Sequence, residues 1–150
     1  MKRLFVAAML ATAAAPAFAE TPTEAVSFFY KDPGSELSPE NRDRFIGKAK
    51  EMLDLSSMDE ESESGPCVNF MLSLGAQDFD EVELEKSLVF AEAIAGDQAT
   101  VKATFEFFDE PGEIIWSLER AGETWKISDI ASTKDDWKLS TLDCTAQAGQ

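Results

Sequence analysis

Between Glu113 and Ile130 the chain alternates apolar and polar residues on both sides of Ala121-Gly122, and such a stretch is committed to a β-hairpin. A two-residue loop at Ala121-Gly122 predicts Arg120 opposite Glu123 as an ion pair at the rim. In that register Leu118 faces Trp125, Trp116 faces Ile127 and Ile114 faces Asp129. Slippage by one residue would turn both tryptophans to water, so the pattern specifies the pairing strongly.

Two further hairpins are predicted upstream. Residues 88–95 and 99–108 flank Gly96-Asp97-Gln98, and a three-residue loop there sets Glu92 against Lys102 and Ala93 against Val101. The turn Asp109-Glu110-Pro111-Gly112 then brings Phe105 against Trp116 and Lys102 against Glu119. A four-stranded antiparallel meander follows, with one large aromatic face. Asp129 is the single acid sent to that face, between Ile114 and Phe107.

Such a face must be covered, and the preceding residues supply helices. Thr21-Pro22-Thr23-Glu24 reads as a capping box with proline in the first turn, opening a helix that stops before Asp32-Pro33-Gly34. A second helix is predicted from Ser38-Pro39, with Phe45, Ile46, Ala49, Met52 and Leu53 at helical spacing. Its Arg42, Arg44, Lys48 and Lys50 read as a solvated face. Residues 54–66 read as a mobile acidic loop, and 67–74 as a short helix stopped by Gly75. The expected fold class is α+β: N-terminal helices packed on a curved, four-stranded antiparallel sheet. Alanines 91, 93 and 103 at one end and bulky residues at the other suit a cone-like meander.

The chain starts with a basic head, Met1-Lys2-Arg3, an apolar run too short to span a bilayer, and Ala17-Phe18-Ala19. This predicts a signal peptide over residues 1–19, a single domain over 20–144 and a disordered tail over 145–150. With no cysteine at the cleavage site and no later apolar span, the protein is expected to be soluble in the periplasm or the medium. In that compartment Cys67 and Cys144 read as a disulfide, for which chain entropy gives an upper figure of about 4.5 kcal/mol.

A net charge of −16 repels nucleic acid and anionic headgroups and favours cationic partners. The chain has no histidine, and its acidic runs lack hard-ligand spacing around a turn glycine, so no metal or other cofactor is implied.

Four stretches carry a family resemblance: the opening Thr-Pro-Thr-Glu-Ala-Val-Ser-Phe-Phe-Tyr, Gly-Ala-Gln-Asp before the strands, the Gly-Asp-Gln-Ala-Thr-Val hairpin and the closing Trp-Lys-Ile-Ser-Asp-Ile. Over roughly residues 21 to 132 the chain resembles the exported bacterial proteins grouped as domain of unknown function 3828. That group is similar to the nuclear-transport-factor-two-like superfamily of cystatin-like α+β cones. The resemblance implies a curved sheet wrapped round a helix with a pocket at its mouth. It implies no reaction, because that superfamily contains enzymes and non-enzymes.

Phe105, Phe107, Ile114, Trp116, Ile127 and Asp129 are therefore the candidates to line a cavity. An acid in apolar surroundings has the raised pKa a general base needs, which makes Asp129 the catalytic candidate, although nothing nearby partners it. The first functional expectation is a non-enzymatic binding or interaction module of the cell envelope, taking a protein or a small apolar ligand. One alternative is a small-molecule lyase or isomerase using Asp129. Another is an acidic inhibitor or immunity-type protein for a basic partner. A homodimer through the outer sheet face is also compatible with the pattern.

Overall fold

The computed structural model describes residues 20–58 and 65–144. The expected leader over 1–19, residues 59–64 of the acidic loop and the tail 145–150 lie outside the described residues.

Helix α1 spans Pro22–Tyr30, and its capping box is formed: Glu24 N donates to Thr21 Oγ1 at 3.1 Å and Thr21 N donates to Glu24 Oε2 at 2.7 Å. The expected second helix is divided. Pro39–Arg44 is a 3-10 turn, Phe45 and Ile46 are extended, and α2 runs Gly47–Met58. Phe45 bridges Ile127 in parallel fashion and Ile46 N donates to Ile127 O at 2.9 Å, so this backbone belongs to the sheet edge. Gly47, at φ +61°, makes the turn back into a helix. Because α2 reaches Met58, the expected loop starts later than residue 54. Arg42 does not lie on a solvated face. It is buried, with Nε 2.9 Å from Asp54 Oδ1 and a guanidinium N–H donated to Ser57 Oγ at 2.7 Å.

Residues 67–74 form turns rather than the helix expected. Their amides are claimed by side chains from elsewhere: Val68 N donates to Ser56 Oγ at 3.0 Å and Ser73 N to Glu36 Oε1 at 2.7 Å. Helix α3, Glu81–Ser87, was not expected; Asp80 caps it by accepting from Glu83 N at 2.8 Å.

The sheet is an antiparallel meander of five strands in the order β1 (Val89–Ala95), β2 (Gln98–Phe107), β3 (Glu110–Ala121), β4 (Thr124–Ser132), β5 (Trp137–Lys138). The fifth strand, two residues paired with Ala131 and Ser132, goes beyond the four expected.

All three hairpins depart from the expected register: the first two close through two residues instead of longer loops, and the third keeps its two-residue loop but one position later. Gly96-Asp97 pairs Ala95 with Gln98 and Glu92 with Val101, which turns β1 over: Phe90 packs edge-on against Tyr30 at 5.2 Å, and Val89 and the β1 alanines are exposed. Phe108-Asp109 pairs Val101 with Trp116 and Phe105 with Gly112. The Phe105 ring lies where a Cβ on Gly112 would have to go. Gly122-Glu123 pairs Leu118 with Ile127 and Arg120 with Trp125. Arg120 accordingly lies over the Trp125 ring, 4.8 Å from its centroid, rather than against Glu123.

Beyond Leu118 a bulge shifts the β3–β4 ladder, so that Trp116 pairs with Ile130 and Ser117 with Asp129. The core lies between the inner sheet face and the helices, where Phe29 of α1 stacks on Trp116 at 5.5 Å. A disulfide joins Cys67 to Cys144 with Cα atoms 5.2 Å apart, fastening the C-terminal segment beside α2 and the 67–74 turns.

Candidate functional site

The structure separates the residues expected to line one cavity. Phe105, Ile114, Trp116 and Ile127 are buried in the core, and Phe107 is partly buried with its ring stacked on Phe105 at 5.6 Å. Trp116 is fully covered; its indole N–H donates to Tyr30 Oη at 3.2 Å, and burial pushes the Tyr30 phenol well above its ordinary range. These side chains are packed against one another, as aromatic core residues with satisfied polar handles are.

Asp129 lies elsewhere. The bulge reverses its facing, so its carboxylate shares a face with Ser117 rather than with Trp116 and Ile114. It stands where the β4 edge changes partners, between Ile127, joined to Ile46, and Ala131, joined to β5. Both oxygens are engaged. Oδ1 accepts from Ile130 N at 3.0 Å and Ser140 N at 3.1 Å; Oδ2 accepts from Ser140 Oγ at 2.6 Å and lies 3.3 Å from Lys138 Nζ. This arrangement fastens the turn after β5 to the sheet. A depression of about 440 Å³ adjoins it, bordered by Lys48, Thr100, Ser117, Glu119 and Lys138.

A second buried acid, Glu36, holds two loops together. It accepts from Gly34 N at 2.9 Å and Ser73 N at 2.7 Å, and its burial raises its pKa, partly offset by those amides. Among the described residues no group of three or more histidine, cysteine, aspartate or glutamate side chains is placed to hold a metal ion. No helix among them is long and apolar enough to cross a membrane.

The surface that stands out is the free margin of the sheet. Five large hydrophobic side chains are exposed among the described residues: Met58, Val82, Val89, Ile94 and Phe108. All but Met58 belong to α3, β1 or the β2–β3 turn, and around them are the exposed acids Glu81, Glu83, Glu85, Glu106 and Asp109. Phe108 and Asp109 both have positive φ, 53° and 59°, where turns of this kind favour asparagine and glycine. Phe108 N donates to Glu83 Oε2 at 2.6 Å, which pins this turn to α3. An exposed phenylalanine held at a strained tip and ringed by acids has the make-up of an interaction anchor. None of these residues was singled out as a site from the sequence. The available signal was Phe-Asp at the midpoint of a strand-turn-strand run.

A chain of the type VI native effector-immunity complex Tae3-Tai3 from Ralstonia pickettii superposes with a TM-score of 0.52 at 25% sequence identity, over 73% of this chain and 91% of that chain. The selenomethionine form of the complex gives a TM-score of 0.51 at 25% identity, over 73% and 92% of the two chains. No protein-family model matches the sequence, and no curated protein sequence matches it. The likeness therefore comes from the fold, and the solved chain it matches comes from an assembly of two proteins.

Proposed function

We propose that this protein is an immunity-type protein of the cell envelope, which binds a cationic toxic effector and masks it. The observation that carries this reading is the structural likeness to a chain of an effector-immunity complex, covering nearly all of that chain. Of the two roles such a complex contains, the chemistry of this chain suits the binder. It has no histidine, and both cysteines are bonded to each other, so it offers neither a free thiol nor an imidazole base for nucleophilic catalysis. Its net charge of −16 steers cationic proteins toward it and gives an association that weakens with salt.

Two features support an exported location. The basic head and apolar run at the N-terminus have the form of an export signal, and the Cys67–Cys144 bond belongs to an oxidising compartment. The resemblance to nuclear-transport-factor-two-like cones is compatible, since that architecture serves binding proteins as well as enzymes.

The test is contact competition. A strain lacking the gene, grown in dense contact with its parent, loses viability, and expression of the exported protein restores it. Equal survival of the deletion strain and the parent under contact would overturn the proposal.

A further inference from the structure

The two margins of the sheet are treated differently. At β4, the margin is covered by Phe45-Ile46 at one end and β5 at the other, with Asp129 filling the gap between them. At β1, among the described residues, the chain pairs only with β2, and every residue from Val89 to Ala95 except Phe90 is exposed. Natural edge strands are blunted by lysine, proline, bulges or inward-pointing charges; β1, Val-Phe-Ala-Glu-Ala-Ile-Ala, has no lysine, proline or bulge and a single inward charge. Its one charge, Glu92, is turned toward α1, where it accepts from Thr23 N at 2.8 Å and Thr23 Oγ1 at 2.7 Å.

Register gives the direction of the free backbone groups. The Gly96-Asp97 turn closes on Ala95 and Gln98 as a hydrogen-bonded pair, so residues 95, 93, 91 and 89 bond inward to β2 and Phe90, Glu92 and Ile94 present their N–H and C=O groups outward. Beside this row, Val89 is 60% exposed, Phe108 55% and Val82 56% at the end of β1 nearest the strained tip, and Ile94 is 52% exposed at the other end and on the opposite face.

We propose that β1 is a docking edge that takes an extended segment of a cationic protein by strand addition, with Phe108 seated in an apolar pocket of that partner. Charge selects the occupant. Glu81, Glu83, Glu85, Glu106 and Asp109 cluster on α3 and at the end of β2 beyond Val89, outnumbering Lys86 and Lys102, so a basic chain laid along β1 meets a net acidic surface where it leaves the strand at that end. A second copy of this chain is disfavoured: antiparallel self-pairing about the strand centre sets Glu92 opposite its own counterpart and adds a second acidic surface to the first.

This inference deepens the effector-binding reading and rests on it, but its test needs no effector. The probe is a synthetic peptide alternating lysine and valine, with a glutamate-valine peptide as control, added to the oxidised protein while amide exchange is followed by NMR. The lysine peptide slows exchange at Glu92 and Ile94 by about tenfold or more and shifts Phe108, whereas the control does neither. Ile94→Pro removes one outward N–H and abolishes the effect, with β2–β3 amides unchanged. Ile94→Lys, at an exposed position, is the second variant and repels the same peptide.

Perturbation confined to the acids of α3, or no protection at Glu92 and Ile94, overturns the proposal. So does a peptide-free dimer in sedimentation with those amides already protected, which would assign the edge to a second copy. A deletion strain that survives contact would sink the immunity reading while the peptide result still decides the edge.

Discussion

The amide of Phe108 donates to the carboxylate of Glu83 at 2.6 Å, across the gap between the β2–β3 turn and helix α3. That bond holds a bulky residue at φ +53°, in the left-handed region where a side chain carries a cost of roughly 1–2 kcal/mol. Because Phe108 is mostly exposed, its ring recovers little of that cost by burial. Phe108→Asn, which suits the turn better, is expected to raise unfolding free energy by about 0.5–1 kcal/mol in urea titration. The same variant should weaken partner binding. Stability and binding moving together in one direction would show that Phe108 is not an anchor.

Glu36 gives the protein a pH dependence of definite sign. Burial raises its folded pKa above the ordinary value of 4.5. A group with a raised folded pKa contributes its full stability below the unfolded pKa and loses it as pH rises through the folded one. The stability advantage of the native protein over Glu36→Gln should therefore be largest below pH 4.5 and shrink as pH rises toward neutrality. Thermal melts of both proteins across that range check it; an advantage that grows with pH would contradict the assignment. Glu36→Ala, which leaves the amides of Gly34 and Ser73 without their acceptor, should cost about 2–4 kcal/mol below pH 4.5, and that loss should shrink with rising pH along the same course as the Glu36→Gln difference.

The α+β class, α1 and the succession of hairpins were legible because capping chemistry and period-two alternation are local. Facing was not. In β1 both Val89 and Phe90 are apolar, and only the length of the Gly96-Asp97 turn decides which is buried; a loop longer by one residue would exchange them. Asp129 illustrates the same limit. A bulge near Ser117 and Leu118 reverses the alternation beyond it, and no residue type there announces it. Phe45 and Ile46 have helical spacing, yet bonding to Ile127 outweighs that local preference. The acidity favouring a basic partner was plain in composition. The surface for that partner was not, since it depends on the φ of Phe108 and on β1 being left uncovered.

Breaking the disulfide should loosen one end of the chain first. Cys67 and Cys144 are 77 residues apart, and the chain-entropy model places the upper limit near 4.5 kcal/mol for such a loop. Paired Cys67→Ser and Cys144→Ser substitutions are expected to lower stability by about 2–4 kcal/mol in guanidinium titration. Amide exchange should accelerate at Leu139–Thr141 more than in β2 and β3. Uniform acceleration through the whole sheet would mean that the bond supports the core directly.

Asp129 completes the β4 margin, and its removal should be felt there. Its carboxylate accepts from the amides of Ile130 and Ser140 and from the Ser140 hydroxyl, so Asp129→Ala strands two backbone donors and is expected to cost about 2–3 kcal/mol. Lys138, exposed and 3.3 Å away, contributes little by comparison; Lys138→Ala should cost below about 1 kcal/mol. The pair of substitutions separates two accounts of the site, since an ion-pair account requires the two losses to be similar. In Asp129→Ala, amide exchange at Ser140 should quicken while exchange at Trp116 and Leu118 keeps pace only with the global loss of stability. If exchange at Ser140 were unchanged, the turn after β5 would be held by something other than this acid.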